Sequence, residues 1–259
     1  MKNKKALYIG IALLIYIIIV SFPTYLIVKD DIVLRYSIEV GLRTAYLIFI
    51  ILFSIFTKIA KSYTGKTKFW NMLLLAPLFF VAFFNLFYWE VVCHLPFGTM
   101  GEQIKDIFYR DGVNSFQILR FVCIIITVVE EELLFRYILQ RNLLLGHKVI
   151  RILVTAAIFT GCHFFTMLYD AAGLIQPWQL IELIFVFGVG IILGFLYEYT
   201  NNIIYPIAFS FIYSLCAGLV PIEISHVDWT YYLTAGCFAA FAILYINMFY
   251  FFMIKKENR

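Results

Sequence analysis

The run Val122-Cys123-Ile124-Ile125-Ile126-Thr127-Val128-Val129-Glu130-Glu131-Glu132-Leu133-Leu134-Phe135-Arg136-Tyr137-Ile138-Leu139 sets three consecutive carboxylates and a guanidinium inside an otherwise apolar stretch. Charges in such a place have two explanations. Either the stretch is a helix end whose carboxylates are solvated, or it lies inside a membrane bundle that has a use for them. Apolar residues on both sides favour the second, and an ionised group near mid-membrane is expensive enough to mark a functional position.

The composition around this run agrees. Of 259 residues, 63% are apolar and 14% charged, whereas a soluble domain is roughly half apolar and about a quarter charged. So few charges cannot cover a soluble surface. A net charge of +4 is too small an excess to indicate nucleic acid as a partner. The cysteines, Cys93, Cys123, Cys162, Cys216 and Cys237, are odd in number and lack metal-ligand spacing, which argues against a disulfide framework and a zinc ribbon. The class read from this is an all-α polytopic membrane helical bundle.

Runs long enough to cross the hydrocarbon predict about eight transmembrane helices, at 6–28, 39–59, 69–92, 115–140, 149–168, 176–199, 202–221 and 229–254. The first follows Lys2, Lys4 and Lys5 like a signal peptide, but it is long and no small-x-small cleavage site follows, so it is read as a mature span. Cations gather on alternate connections: Lys58, Lys61, Lys66 and Lys68 in the second, Arg141, Lys148 and Arg151 in the fourth, and Lys255, Lys256 and Arg259 at the C-terminus. The intervening connections hold Asp30, Asp31, Glu102, Asp106, Asp111, Asp170, Glu223 and Asp228. By the positive-inside rule both termini are cytoplasmic. No repeat, linker or second domain is visible, so residues 1–259 read as one membrane-embedded domain.

Within the fourth span, Glu132 and Arg136 are four apart and share a helical face, which suits an internal ion pair. Glu131 is rotated by about 100° from Glu132 and is free to face a cavity. In the fifth span Phe159 stands one turn before His163. Counted from the cationic connection, Glu131 lies roughly 15 Å deep and His163 roughly 18 Å deep. A carboxylate and an imidazole at matched depth on antiparallel neighbours suit general-base activation of a water. Other polar residues have plainer readings. Glu182 reads as a helix-end carboxylate, Asn85 and Asn247 as amides joining helices, and His94, His147 and His226 as solvated. The glycines Gly188, Gly190 and Gly194 read as a close helix contact. Cys162 and His163 point apart on a helix, which argues against a Cys-His nucleophile.

Glu131-Glu132-x-x-x-Arg136 followed by Phe159-x-x-x-His163 resembles the first two motifs of the CAAX-protease and bacteriocin-processing family of intramembrane proteases, also called the Abi or CPBP family. Thr200-Asn201-Asn202-Ile203-Ile204-Tyr205-Pro206-Ile207-Ala208 resembles the turn leading into that family's third motif. The resemblance covers 115–221, the protease-like core; the first three spans carry no signature. It implies an endopeptidase in which Glu131, assisted by His163, activates water while Glu132 and Arg136 hold the helix. It also implies a divalent metal such as zinc, and a peptide or lipidated protein substrate in the bilayer. The departure is at the third motif: where the family has His and, four residues later, Asn, alignment on Pro206 gives Ser210 and Ser214. Serine is a poor metal ligand, so a two-histidine metal site is not supported. Serine can still donate one hydrogen bond, as a weak oxyanion donor. The expected location is a bacterial plasma membrane. Besides a protease, the same residues allow a catalytically impaired relative serving as a scaffold or immunity protein, or a proton-coupled transporter, against which the absence of an inverted repeat counts.

Overall fold

In the computed structural model, residues 2–21, 31–57, 115–143, 147–170 and 177–218 are described, together with short helical pieces between 236 and 251. The third expected span, 69–92, lies outside the described residues, as does most of the eighth, and so do Asn85, His94, His226 and the Glu182 side chain.

Every regular element among the described residues is helical. In chain order they are α1 (Lys2–Val20), α2 (Ile32–Thr57), α3 (Ser115–Glu131) continued without a break by a π-helix (Glu132–Gln140), α4 (Lys148–Asp170), α5 (Pro177–Thr200) and α6 (Ile204–Gly218). Val33–Thr57, Lys148–Phe165 and Leu183–Thr200 are long and apolar enough to cross a membrane, and Lys5–Val20 and Ile204–Leu215 are shorter apolar helices.

The helix ends follow from local chemistry. Asp31 precedes α2 and its Oδ1 accepts the Leu34 amide at 2.9 Å, the side-chain cap that satisfies an otherwise orphaned N–H of the first turn. Helix α5 stops where Asn201 takes a left-handed backbone, φ 52°. Its amide still reaches the Tyr197 carbonyl at 2.8 Å, and asparagine is among the few side chains that accept this conformation readily. Asn202 Oδ1 then accepts the Ile204 amide at 3.0 Å, which starts α6 immediately. This tight turn carries α6 back into the bundle, and Pro206 fits because the first turn of a helix needs few backbone donors.

The bundle is built inside out relative to a soluble protein. Phe56, Leu244 and Ile184 are well exposed, while Glu130, Glu132 and Arg136 are 1% exposed or less. That inversion is what a hydrocarbon solvent selects, since apolar side chains lose nothing by facing lipid and charges must find partners within the protein. Helix α4 packs along α5, and α2 along α3, while α6 bridges α3 and α5. The α4–α5 contact is close because a Cβ on Gly190 would stand 3.2 Å from Ala156 Cβ, and one on Gly194 would stand 2.7 Å from Ile152 Cγ2. The expected glycine contact is therefore present, as small residues are needed where membrane helices approach closely.

The π-helix is the hub, touching α1, α2, α4 and α5. Leu134, Phe135, Ile138 and Leu139 on it join Ile9, Ala12 and Tyr16 of α1, Tyr46 and Ile50 of α2, and Phe159 and Cys162 of α4 in one apolar cluster. A regular α-helix was expected through 140. Widening to i→i+5 hydrogen bonding adds residues to each turn, so Leu134, Phe135, Arg136, Ile138, Leu139 and Gln140 all become buried among four neighbours. Such widened turns occur disproportionately at functional sites.

Candidate active site

The three carboxylates diverge although they are adjacent. Glu130, the last fully buried group before the helix widens, forms an ion pair with Arg43 Nη1 of α2, and the same guanidinium reaches Glu39 one turn earlier at 3.3 Å. Glu132 is paired with Arg136, Nε to Oε2 at 3.5 Å, so the expected ion pair is formed. Its other oxygen, Oε1, accepts the Ser210 hydroxyl of α6 at 2.8 Å. The Arg136 guanidinium lies over the Phe159 ring of α4 with Cζ 5.1 Å from its centroid, a cation–π contact strengthened by the absence of water.

Glu131 differs from both. It is only partly buried, it forms no ion pair with another described residue, and its Oε1 accepts the hydroxyl of Tyr16 from α1 at 2.7 Å. A carboxylate held by one neutral donor keeps acceptor capacity for a water or a substrate.

On α4, Phe159 meets Phe135 edge to face at 5.0 Å. Glu131 and His163 each stand four residues beyond that contact on the side away from the α3–α4 connection. His163 Nδ1 is 3.1 Å from the carbonyl oxygen of Phe159, and its ring lies against the Phe159 ring, centroids 4.4 Å apart. A carbonyl oxygen only accepts, so Nδ1 carries the proton in this contact and Nε2 is the atom left for another partner. Among the described residues no hydrogen bond joins Glu131 to His163. Catalytic contacts of this kind are often open before substrate arrives.

Of the third-motif positions, Ser210 is buried and committed to Glu132, while Ser214, one turn further along α6, is half-buried. The sequence placed Ser210 in the site on the strength of the Thr200–Pro206 turn, and the structure brings it to the motif-one glutamate pair. Its one proton is already donated, so it has none for an oxyanion while that bond persists. Cys162 is buried, free of disulfide and part of the apolar cluster.

Two residues were missed. Arg43 lies inside the predicted second span, and an intramembrane arginine is by itself a signal that a buried carboxylate awaits it. Tyr16 carries no such signal, because a tyrosine in an apolar run reads as an interface or core residue. At the far end of the π-helix a second polar group has a structural role: Gln140 Nε2 donates to the Gly194 carbonyl at 3.0 Å, and Arg151 pairs with Glu198 at 3.0 Å, tying α4, α5 and the π-helix together.

The donors among the described residues do not fit a protein-held divalent ion of the zinc kind. Such a site needs three or more converging N, O or S ligands, and among the described residues no group of three His, Cys, Asp or Glu converges. Glu130 and Glu132 are turned to arginines, and Ser210 offers a hydrogen rather than a ligand.

Fold and site together define an all-helical membrane protein with ionisable groups assembled in its interior. Residues 114–216 match the family described as Rce1-like, type II CAAX prenyl endopeptidase Rce1-like, which bears out the CAAX-protease resemblance read from the motifs and supports an intramembrane endopeptidase kind of protein. No curated protein and no solved structure matches the chain.

Proposed function

We propose that this protein is an intramembrane endopeptidase of the CAAX-protease type, in which Glu131 takes the proton of a water that attacks a peptide bond near the membrane. The observation that carries this reading is the contrast within one turn of helix. Glu130 and Glu132 are buried in ion pairs with arginines, whereas Glu131 is partly accessible and, among the described residues, is hydrogen-bonded by a neutral hydroxyl and forms no ion pair. Two of the three carboxylates therefore hold helices together, and the third is available for chemistry. His163, oriented by the Phe159 carbonyl, turns Nε2 toward a water or the leaving group, the usual division of labour between base and orienting group. Substrates of the proposed reaction are prenylated tails or peptide precursors, in bacteriocin processing or self-immunity at a bacterial plasma membrane.

The test is cleavage of a farnesylated Cys-aliphatic-aliphatic-X peptide, and of a set of peptide precursors, by the full-length chain in proteoliposomes. Glu131→Gln preserves shape and the acceptor for Tyr16, so it is expected to abolish cleavage with no change in membrane expression or melting. A well-expressed Glu131→Gln protein with full activity overturns the reading.

One observation favours a second reading, a relative that binds a peptide or membrane segment as a scaffold or immunity protein without cutting it. Ser210 stands where the family has histidine, and its hydroxyl is held by Glu132. On this reading the cellular phenotype survives Glu131→Ala and is lost only when the apolar cluster around Phe135 and Phe159 is disrupted.

A further inference from the structure

Peptide-bond hydrolysis needs a donor for the oxygen of the attacked carbonyl as well as a base for the water, and a good donor contributes about 10²–10³ in rate. Ser210 cannot fill that place while it donates to Glu132 Oε1 at 2.8 Å. The group that does reach the partly accessible carboxylate comes from outside the matched segment 114–216. The Tyr16 hydroxyl of α1 stands 2.7 Å from Glu131 Oε1. Its ring is 1% exposed and is clamped by Phe135 edge to face at 5.4 Å and by Tyr46 at 5.7 Å, so little rotation is open to it. Tyr46 uses its own hydroxyl on the Ala12 carbonyl at 3.0 Å and so braces α1 against α2 beside Tyr16.

We propose that Tyr16 is a catalytic residue, the hydrogen-bond donor to the oxyanion that Ser210, held by Glu132, does not provide; this rests on the protease reading above. A water hydrogen-bonded to Glu131 would share that carboxylate with the Tyr16 hydroxyl, so a carbonyl attacked by it would lie beside the hydroxyl. As the water oxygen bonds to the carbonyl carbon, its proton passes to Glu131 and the carbonyl π pair moves onto oxygen. Protonation weakens Glu131 as an acceptor just as the new oxyanion becomes a strong one, and the Tyr16 hydrogen bond transfers from the first to the second. The intermediate collapses when that oxygen re-forms the double bond, the carbon–nitrogen bond breaks, and the proton on Glu131 goes to the departing nitrogen. Atoms and charges balance with water as the sole co-reactant. A phenol is a more acidic, stronger donor than a serine hydroxyl, and phenolic donors serve in this role in other enzymes.

The experiment compares wild type, Tyr16→Phe and the neighbouring control Tyr46→Phe, each as the full chain in proteoliposomes. Two probes are used: the farnesylated peptide, and the same peptide with a phosphinate in place of the scissile amide to mimic the tetrahedral intermediate. Tyr16→Phe is expected to lower kcat about 10²–10³-fold with KM unchanged, and to weaken phosphinate binding in parallel while peptide binding stays within about threefold. Tyr46→Phe, which loses a hydroxyl that braces the same helix pair, should lower the melting point while leaving the ratio of phosphinate to peptide affinity unaltered. A merely structural role for Tyr16 would change both probes together and lower the melting point, which overturns the proposal. Full kcat and undiminished phosphinate preference in Tyr16→Phe overturns it while leaving the protease reading intact. A wild-type chain that neither cleaves the peptide nor prefers the phosphinate overturns both, since no oxyanion then forms for Tyr16 to meet.

Discussion

Glu132 and Arg136 are a fully buried pair in which each charge is tolerable only because the other is present. Removing one partner of such a pair leaves an uncompensated charge and costs about 3–5 kcal/mol, whereas replacing both by apolar groups of similar size is often neutral. Glu132→Leu or Arg136→Met alone should therefore lower the unfolding midpoint in detergent steeply, and the double variant should recover most of the loss. Ser210→Ala belongs to the same group. It removes one hydrogen bond to a charged acceptor and should cost about 1.5–3 kcal/mol. Glu131→Gln stands apart from all of these, with an expected stability change within about 0.5 kcal/mol and loss of cleavage. A cycle in which Glu131 proves as destabilising as Glu132 would contradict the division of roles argued from their partners.

At the scale of elements, the close approach of α4 to α5 depends on positions that lack a side chain. A Cβ at Gly194 would meet Ile152 Cγ2 at 2.7 Å and Gln140 Oε1 at 3.1 Å, so Gly194→Ala must push α4 away or displace the Gln140 amide that pins the π-helix. The expected cost is about 1–3 kcal/mol. Gly41 on α2 has nothing within 4 Å of such a Cβ, and Gly41→Ala should be neutral or stabilise the helix by about 0.5–1 kcal/mol. Unfolding of the two variants side by side separates crowding from helix propensity. The π-helix has its own consequence at this scale. Because it packs on α1, α2, α4 and α5, strain introduced at Gly194 should also lower cleavage, although Gly194 meets the π-helix at Gln140, at the end away from Glu131.

For the molecule as a whole, the segment that carries the family motifs is closed by α1 and α2, which lie outside it. Arg43 neutralises Glu130, Tyr16 holds Glu131, and Tyr46 ties α2 to α1. Arg43→Met should destabilise the bundle by about 3–5 kcal/mol. Pairing it with Glu130→Leu should show a coupling of about 0.5–3 kcal/mol in a double-mutant cycle, whereas independent effects would deny that the two helices are joined there. The arrangement of cations proposes one orientation for the whole bundle, with both termini cytoplasmic. Reporter fusions at the two ends should report the same compartment, and a C-terminus outside would remove the basis for assigning the cationic connections to the cytoplasm.

The amino-acid sequence alone determined the class, because so few charges cannot make a soluble surface, and it pointed to the candidate site, because an ionised group inside an apolar run is costly enough to mark a functional position. The Glu132–Arg136 pair was legible from a spacing of four, the turn into α6 from Thr200-Asn201-Asn202, and the close helix contact from Gly190 and Gly194. These are local properties, set by helical periodicity and backbone chemistry within a few residues. Tertiary structure decided which carboxylate each distant side chain would meet. Arg43 reaches Glu130 across 87 positions, Tyr16 reaches Glu131 across 115, and Ser210 reaches Glu132 across 78. Three adjacent glutamates look alike in one dimension. They acquire separate fates only because neighbouring positions on a helix point in different directions, and each direction faces a different helix.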